Sequence, residues 1–331
     1  MPVALITPEA QINKPAPYVD MLRDAGFEVA YPKDTTFTRG LVSEAATIEQ
    51  LSICDAIIAG GEHFTENVFA NLPKLRVVAR SGVGYDRVDV PAATKHGVPI
   101  TITPNGNYEA VAEAAFTLMF SVAKSVVQFD DSMRDGKWDR KLTRPLRGTT
   151  LGIVGLGRIG RAVATRGKAL GMRVIAAEMY PNQAFVDEHQ IELVDLDRLL
   201  AESDYVSVHC PLNDETRGMF NEQVFRKMKP GCIFVNTARG GLVVEKDLVA
   251  ALESGHLTGA GLDVFEQEPP STDNPLLKLN NVVLAPHVGG EDTLASEMMG
   301  VEAADCIIKL YQGTWPEGAV VNDELRDGWK W

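Results

Sequence analysis

The sequence predicts an α/β protein built from two units in series, each with a sheet of parallel strands. Short apolar runs alternate along the chain with amphipathic stretches of helical periodicity, which is typical of strand–helix units on a parallel sheet. The length of 331 residues exceeds one ordinary domain and suits two. A polar stretch over residues 130–148 separates the two series of apolar runs.

The first series occupies about the first hundred residues. Its apolar runs predict strands, and the stretches between them predict helices over residues 16–25 and 65–70. The predicted strands cover residues 3–7, 27–30, 56–59 and 76–79.

The middle of the chain breaks this alternation. Residues 107–127 predict one long helix that is apolar on almost every face, and such a helix is buried either in a core or against another subunit. The polar residues 130–148 predict a surface excursion or linker. The second series then predicts a helix from Arg158 and a last helix from Gly290 to about Tyr311. Its predicted strands cover residues 150–154, 173–177, 205–209, 232–236, 259–264 and 281–285.

Composition and charge exclude several classes of function. Hydrophobic residues make up 45% of the chain and charged residues 23%, as in globular proteins. The net charge of -13 and the lack of a basic run argue against nucleic-acid binding. We expect no signal peptide and no membrane span, because no basic N-terminal segment precedes an apolar one and no apolar run is long enough. The four cysteines have no C-x-x-C spacing, so we expect reduced thiols, no metal site and a cytoplasmic protein.

A glycine-rich turn lies between a predicted strand and the helix after it. Gly155 permits a tight turn, Gly157 lets the backbone approach a pyrophosphate, and Gly160 lets helix and strand pack closely. Glu178 ends the next predicted strand, where its carboxylate can accept hydrogen bonds from ribose hydroxyls and repel a 2′-phosphate. The spacing therefore predicts dinucleotide binding, with NAD preferred to NADP.

Three later segments end predicted strands with reactive side chains, at the edge where open parallel sheets bind ligands. Reduction of a carbonyl places negative charge on its oxygen and needs a proton donor and a cation. His287 suits the donor, and Glu266 or Glu268 would favour its protonated form. Arg239 suits a carboxylate anchor because its planar fork donates two parallel hydrogen bonds. From spacing alone, surface, loop or structural roles for these residues stay open.

The order of motifs resembles the D-isomer-specific 2-hydroxyacid dehydrogenases, which include D-3-phosphoglycerate dehydrogenase and glyoxylate/hydroxypyruvate reductase. The matching motifs run along nearly the whole chain as SGVGYDRVD, TPNGNYEAVAE, GIVGLGRIG, VNTARGGLV, DVFEQEPP and APHVGG. The resemblance implies two Rossmann-like or flavodoxin-like lobes with parallel sheets and a cleft between them. Residues 1–103 and 289–331 would form the substrate-binding lobe, and residues 104–288 the NAD-binding Rossmann domain.

The resemblance also implies roles for individual residues. Arg239 would be the catalytic arginine, Glu268 the acid that tunes the histidine, and His287 the proton donor. Asp263 would hold the nicotinamide carboxamide. The other implied dinucleotide contacts are Arg158, Ile159, Pro211, Thr237, Ala238 and Gly290.

The loop of residues 81–84, Ser-Gly-Val-Gly, would otherwise be interpreted as a plain turn. Two glycines let successive backbone N–H groups converge on an anion. By resemblance, the Val83 and Gly84 amides hold the substrate carboxylate together with Arg239, and Asn107 lies near the hinge between lobes.

Some positions depart from the family pattern. Many phosphoglycerate dehydrogenases carry an arginine after the third strand, whereas residues 60–62 are Gly-Gly-Glu here, which weakens a phosphorylated substrate. Residues 291–293, Glu-Asp-Thr, depart from the usual small residue and threonine. Glu268 in place of glutamine argues against a formate dehydrogenase.

We therefore expect an NAD(H)-dependent D-2-hydroxyacid dehydrogenase that acts reversibly on a small 2-oxo acid, glyoxylate/hydroxypyruvate-like or 3-phosphoglycerate-like. We expect a homodimer through the apolar helix, with an internal core helix as the alternative, and no nucleic-acid or membrane partner. Two other functions stay open: an NADH-responsive scaffold resembling the C-terminal-binding proteins, and a family member with an unusual substrate such as phosphite or a sugar acid.

Overall fold

The computed structural model describes residues 1–34, 37–39 and 42–331. These residues divide into two compact units. Residues 1–107 and 291–331 form the first, which we name the split unit, and residues 108–290 form the second, the central unit. The predicted boundaries, at 103/104 and 288/289, lie close to this division, and the roles predicted for the two units stay predictions.

Strands and helices alternate in both units. In the described residues the strands are β1 (Val3–Ile6), β2 (Glu28–Ala30), β3 (Ala56–Ala59), β4 (Val77–Arg80), β5 (Ile100–Thr101), β6 (Thr150–Val154), β7 (Arg173–Ala177), β8 (Glu192–Leu193), β9 (Tyr205–Val208), β10 (Cys232–Asn236), β11 (Leu257–Leu262) and β12 (Val282–Leu284). The α-helices are α1 (Pro17–Asp24), α2 (Glu44–Leu51), α3 (Glu66–Ala70), α4 (Val90–Lys95), α5 (Tyr108–Ala123), α6 (Val126–Arg134), α7 (Arg158–Ala169), α8 (Gln183–His189), α9 (Leu196–Glu202), α10 (Glu222–Lys227), α11 (Glu245–Glu253) and α12 (Thr293–Tyr311).

The split unit has a parallel sheet of order β2-β1-β3-β4-β5. Successive strand residues alternate between two apolar cores, with Leu5 and Ile57 in one and Ala4 and Ile58 in the other. Both faces are therefore covered, as a parallel sheet requires. The strand order reverses between β1 and β3, so the loops that leave β1, β3 and β4 are neighbours at the ligand-binding edge.

The central unit has a parallel sheet of order β12-β11-β10-β9-β6-β7-β8. Numbered within the unit, the order β8-β7-β6-β9-β10-β11 is the 3-2-1-4-5-6 order of dinucleotide-binding folds, and β12 adds one strand. Helices α5 and α7 pack on one face, and α9, α10 and α11 contribute to the core on the other. The predicted fold class of two α/β lobes with parallel sheets is confirmed.

The prediction of one helix over residues 107–127 is wrong. The helix ends at Ala123, and a second helix starts at Val126 after a bend of 58°. Ser125 adopts a left-handed backbone conformation with φ of 52°, which ends the regular helix. The same second helix takes up the start of the stretch predicted as a surface excursion, and residues 135–148 are irregular and mostly exposed.

Helix α5 lies directly on the sheet of the central unit. Gly259 and Gly261 of β11 permit this contact, since a Cβ at either position would lie 2.7 Å from a side-chain carbon of α5. The α5 residues that join this core are Ala112, Ala115, Phe116, Leu118, Met119 and Ala123. On this face, α5 is therefore an internal core helix, which was the alternative to a dimer contact.

Within the described residues, no single helix is long and apolar enough to cross a bilayer, and only the bent pair α5 and α6 meets the length and composition criteria together.

Candidate active site

The glycine-rich turn joins β6 to α7. Gly155 has φ of +94°, and a Cβ there would lie 2.7 Å from the Cys210 amide nitrogen. A Cβ at Gly160 would lie 2.0 Å from the Gly155 carbonyl oxygen. These two glycines are therefore required by packing. Gly157 precedes the first turn of α7 and has open space around its Cβ position, which leaves the helix N-terminus accessible to an anion.

Glu178 follows β7 and faces the same turn. Its Oε2 accepts a hydrogen bond from the Leu156 amide at 2.6 Å, and its Oε1 accepts one from the Tyr180 amide at 2.9 Å. A carboxylate has about four lone-pair positions, so acceptor capacity remains for ribose hydroxyls. The backbone contacts hold the acid beside the glycine turn, as NAD binding requires.

His209 lies behind the glycine turn, where a Cβ at Gly155 would lie 2.8 Å from its carbonyl carbon. Its Nε2 is 2.8 Å from Ser207 Oγ, and in the described residues its buried Nδ1 has no partner. Burial lowers the pKa of His209 to about 3, so the ring is neutral. Pro211 is exposed, and its carbonyl oxygen accepts a hydrogen bond from Thr216.

The segment after β10 is shaped by Asn236, a residue that the sequence reasoning missed. Its side chain accepts a hydrogen bond from the Ala238 amide at 3.0 Å and donates one to the Arg239 carbonyl at 2.9 Å. The Arg239 guanidinium also donates to the Ala238 carbonyl at 2.7 Å. In the described residues the buried Thr237 hydroxyl has no partner, so it is available to a ligand. A polar residue that ends an apolar strand was the only sequence signal for Asn236.

Asp263 follows β11 and anchors the loop that carries His287. Its carboxylate oxygens accept hydrogen bonds from the Val288 amide at 2.9 Å and the Gly289 amide at 2.8 Å, and its carbonyl accepts one from the His287 amide at 2.8 Å. Burial raises the pKa of Asp263, and the two amide bonds and the neighbouring His287 oppose that rise. His287 is held with φ of 56°, and Gly290 is the last residue of the central unit.

Glu268 is the acid that contacts His287. Its Oε2 lies 2.8 Å from His287 Nδ1, while its Oε1 accepts a hydrogen bond from the Phe265 amide at 3.2 Å. In the described residues His287 Nε2 has no partner, and the side chain is 43% exposed. The arrangement leaves Nε2 free to exchange a proton with a bound molecule. Glu266 makes no such contact; its amide donates to Glu245.

The loop over residues 81–84 lies in the split unit. Gly82 has φ of +136°; its amide donates to Thr103 Oγ1 at 2.7 Å and its carbonyl accepts from the Thr103 amide at 3.1 Å. Arg80 Nε donates to the Gly84 carbonyl at 3.1 Å. Within the described residues, the Val83 and Gly84 amides have no hydrogen-bond partner. Asn107 lies near Gly82, and its Oδ1 is buried without a partner.

Residues 60–62 carry no positive side chain of their own, but a cation from elsewhere in the split unit lies beside them. Arg87, which the sequence reasoning missed, donates from Nη1 to the Gly61 carbonyl at 2.7 Å, so a guanidinium stands beside the loop after β3. Glu62 is 1% exposed, with Thr7 and the charge of Arg80 near its carboxyl. Burial raises the pKa of Glu62.

The described residues contain no group of three or more His, Cys, Asp or Glu side chains that could hold a metal ion. The residues of the central unit do fit a dinucleotide. A helix N-terminus is open at Gly157, an oriented acid follows the next strand, and the Thr237 hydroxyl has no partner in the described part of the chain. Arg158 and Ile159 start α7 at this point.

Comparison with known proteins agrees with the geometry. Residues 116–289 match the profile of the D-isomer specific 2-hydroxyacid dehydrogenase, NAD binding domain. The chain is 43% identical over 290 residues to glyoxylate reductase of Korarchaeum cryptofilum, covering 86% of this chain and 87% of that protein. It is 38% identical over 305 residues to D-3-phosphoglycerate dehydrogenase of Archaeoglobus fulgidus, covering 91% of this chain and 56% of that protein. The chain thus spans about half the length of the phosphoglycerate dehydrogenases that it matches.

Solved structures give the same result. The crystal structure of D-lactate dehydrogenase from Aquifex aeolicus, complexed with NAD and lactic acid, matches with a TM-score of 0.82 and 29% identity over 96% of this chain and 98% of that one. The chain is an oxidoreductase that acts on CH–OH groups and uses NAD. It belongs to the D-isomer-specific 2-hydroxyacid dehydrogenase family.

Proposed function

We propose that this protein is an NAD(H)-dependent D-2-hydroxyacid dehydrogenase that reduces a small 2-oxo acid of the glyoxylate or hydroxypyruvate class, in a reversible reaction. The contact of 2.8 Å between His287 Nδ1 and Glu268 Oε2 carries the proposal. It orients the imidazole ring and leaves Nε2 for the substrate oxygen.

The roles of the side chains follow from their chemistry. Bound NADH supplies the hydride. The substrate carboxylate is held by the Val83 and Gly84 amides and by the Arg239 guanidinium. His287, protonated and paired with Glu268, donates its Nε2 proton to the carbonyl oxygen as negative charge develops there. In the oxidative direction, the neutral His287 ring takes the proton back.

Other residues hold the cofactor or the catalytic loop. Gly157 and the N-terminus of α7 bind the pyrophosphate, and Glu178 binds the ribose hydroxyls and disfavours a 2′-phosphate. Thr237 offers its hydroxyl, which is unpartnered among the described residues, to the cofactor. Asp263 binds the nicotinamide carboxamide and also anchors the His287 loop through the amides described above.

A second substrate class, 3-phosphoglycerate-like, has one observation in its favour. The Arg87 guanidinium at the Gly61 carbonyl supplies positive charge beside the loop after β3. The relatives named as phosphoglycerate dehydrogenases and as glyoxylate reductases support the two classes about equally. Residues 60–62 themselves carry no positive side chain, which favours the unphosphorylated acids.

The test follows NADH oxidation by its absorbance with glyoxylate, hydroxypyruvate, phosphohydroxypyruvate and pyruvate, with NADPH in parallel. We expect turnover with NADH and a higher kcat/KM for glyoxylate or hydroxypyruvate than for phosphohydroxypyruvate. The reverse order would assign the phosphorylated class. NADH binding without turnover of any acid would favour the scaffold alternative or an unusual substrate such as phosphite or a sugar acid.

We further propose a cytoplasmic homodimer. Apolar side chains are exposed on α6 and the segment after it, at Val126, Val127, Met133, Trp138 and Leu142. Exposed apolar side chains in such number within one segment are typical of a subunit interface. The four free cysteines suit a reducing compartment. Sedimentation of the chain should give the mass of two copies, and Val127→Asp should shift it to one; a monomeric chain would contradict the proposal.

A further inference from the structure

Gln11 is a buried polar residue that the reaction as described does not use. It follows β1 in the split unit and is 1% exposed. Its Nε2 lies 3.0 Å from Ser81 Oγ and 2.8 Å from the Ser296 carbonyl oxygen. Its Oε1 is buried and has no partner within the described residues. The side chain therefore connects the loop after β4 to α12.

These contacts determine where the protons lie. The Ser296 carbonyl can only accept, so the atom of Gln11 that faces it is the amide nitrogen. That nitrogen has two hydrogens, and the second is donated to Ser81 Oγ. Because the Ser81 oxygen accepts this bond, its own hydrogen remains available to an acceptor. In the described part of the chain, the Ser81 hydroxyl has no such acceptor.

The Ser81 hydroxyl lies in the same loop as the backbone amides of Val83 and Gly84. Ser81 is the first residue after β4 and is partly exposed, and its own amide is bound to the Ala59 carbonyl. The Val83 and Gly84 amides follow it in the loop and have no partner in the described residues. The loop is held by the hydrogen bonds of Gly82 to Thr103 and of Arg80 to Gly84. Several hydrogen-bond donors in such a fixed loop favour an anionic ligand.

We propose that the Ser81 hydroxyl is a third hydrogen-bond donor to the substrate carboxylate, beside the Val83 and Gly84 amides, and that Gln11 is the positioning residue that directs its proton. The inference rests on the proposed function, because it concerns the same 2-oxo acid site. A neutral hydroxyl that donates to a carboxylate forms a charge-assisted bond. Ser81 therefore adds selectivity for the acid over the corresponding neutral aldehyde or amide.

The first experiment compares Ser81→Ala with Ser81→Thr, which keeps the hydroxyl. It measures KM and kcat for glyoxylate, the NADH dissociation constant, and calorimetric binding of oxamate to the enzyme–NADH complex. Loss of a bond to a charged group should raise the glyoxylate KM and the oxamate dissociation constant about ten- to a hundredfold in Ser81→Ala. NADH affinity and kcat should change less than about twofold, and Ser81→Thr should recover most of the loss.

Ser296→Ala is the matched control, because only the main-chain oxygen of Ser296 takes part. A Ser81→Ala variant with a lower melting temperature but wild-type KM and oxamate affinity would assign Ser81 a purely structural role and overturn the inference. If the wild type turns over no 2-oxo acid yet binds oxamate, the proposed function fails and the oxamate comparison still decides the role of Ser81. A wild type that does neither overturns both.

Gln11→Met tests the positioning role, since methionine fills a similar volume without donors. It should raise the glyoxylate KM several-fold, less than Ser81→Ala does, with kcat retained. In the double variant with Ser81→Ala, KM should be no higher than in Ser81→Ala alone. Additive effects on KM would show that Gln11 acts independently of Ser81 and would remove it from the inference.

Discussion

Each unit of the molecule has a glycine-containing loop at the carboxyl end of a parallel strand, and the two loops are held in different ways. The glycine turn after β6 is fixed by steric exclusion: a Cβ at Gly155 or Gly160 would collide with backbone atoms. The loop after β4 is fixed by side chains, with Thr103 bound to Gly82 and Gln11 bound to Ser81. In one the donors belong to a helix N-terminus, and in the other to a braced loop.

This difference explains why the turn after β6 can be predicted from the sequence and the conformation of the loop after β4 cannot. Steric exclusion requires glycine at fixed spacings, so the turn after β6 has a pattern that can be recognised locally. The side chains that brace the loop after β4 come from distant positions, and nothing in the loop indicates them. In the proposed function, the central unit binds the cofactor and supplies His287 and Arg239, and the split unit supplies the loop amides for the substrate carboxylate.

The largest effect that we expect is a loss of kcat when His287 of the central unit is replaced. His287→Ala removes the proposed proton donor, and general acid catalysis contributes about 10²–10⁴-fold to a rate. We expect kcat to fall by that factor while the dissociation constants of NADH and oxamate stay near wild type, measured by steady-state kinetics and calorimetry. Glu266→Gln is the control, since Glu266 makes no contact with the ring. A kcat within a few-fold of wild type in His287→Ala would contradict the assignment.

The same groups predict opposite pH dependences for the two directions. Reduction consumes a proton from His287, so its kcat/KM should fall as pH rises, while oxidation needs the neutral ring and should rise with pH. Profiles of both directions with one substrate pair test this. If kcat/KM changed with pH in the same way in both directions, the rate would not depend on the protonation of His287.

The next largest effect that we expect is the fall in kcat/KM caused by Arg239→Lys. A lysine keeps the charge and loses the planar fork that binds a carboxylate through two parallel bonds. We expect kcat/KM for the 2-oxo acid to fall about 10–100-fold, because a hydrogen bond to a charged group contributes about 1.5–3 kcal/mol. Steady-state kinetics measure it, and Arg226→Lys on the exposed surface of α10 serves as the control for a charge-conserving change outside the binding sites. Near-normal affinity for the oxo acid in Arg239→Lys would exclude the fork as its anchor.

Two glycine substitutions separate packing from ligand approach in the central unit. Gly160→Ala places a Cβ 2.0 Å from the Gly155 carbonyl oxygen and should lower the free energy of unfolding by about 1–3 kcal/mol. Gly157→Ala has open space around its Cβ and should leave stability within about 0.5 kcal/mol of wild type, yet weaken NADH binding. Denaturant unfolding and NADH titration distinguish them. Equal stability losses would show that Gly157 is a packing glycine too.

Thr103→Val tests the brace of the split-unit loop. It leaves the Gly82 amide without its acceptor in a buried position, which costs about 1–3 kcal/mol. The glyoxylate KM should rise several-fold and NADH binding should not change. Thr101→Val is the matched control, since Thr101 is a buried threonine whose hydroxyl, in the described residues, makes no hydrogen bond to the loop over residues 81–84. A rise in KM for both variants would mean that packing at the end of the strand, rather than the hydrogen bond between Thr103 and Gly82, determines the loop conformation.

The fold and part of the site were predictable from local pattern. Alternating apolar runs predicted both parallel sheets, and the glycine spacing with Glu178 predicted the dinucleotide turn, because strand, turn and helix are contiguous there. The break at Ser125 was missed because one left-handed residue leaves the apolar pattern intact. Asn236 and Gln11 were missed for another reason. Their partners are backbone atoms or distant side chains, which only the folded chain brings within hydrogen-bond distance.

The two units also contain buried titratable groups whose effects on stability have opposite signs. Burial lowers the pKa of His209 to about 3, so below the ordinary histidine value of about 6.5 the unfolded chain binds the extra proton and stability falls as pH falls. Burial raises the pKa of Glu62, so above the ordinary glutamate value of about 4.3 the folded chain binds the extra proton and stability falls as pH rises.

Single variants separate the two groups. His209→Gln removes the first slope, which is at most about 1.4 kcal/mol per pH unit, and Glu62→Gln removes the second. Urea unfolding between pH 4.5 and 7 should therefore show that His209→Gln loses less stability on acidification than wild type, and that Glu62→Gln loses more. Because the two expected changes have opposite signs, a general destabilisation cannot imitate both. Variants whose slopes equal that of wild type would show that neither group is desolvated in the folded chain to the extent that its burial indicates.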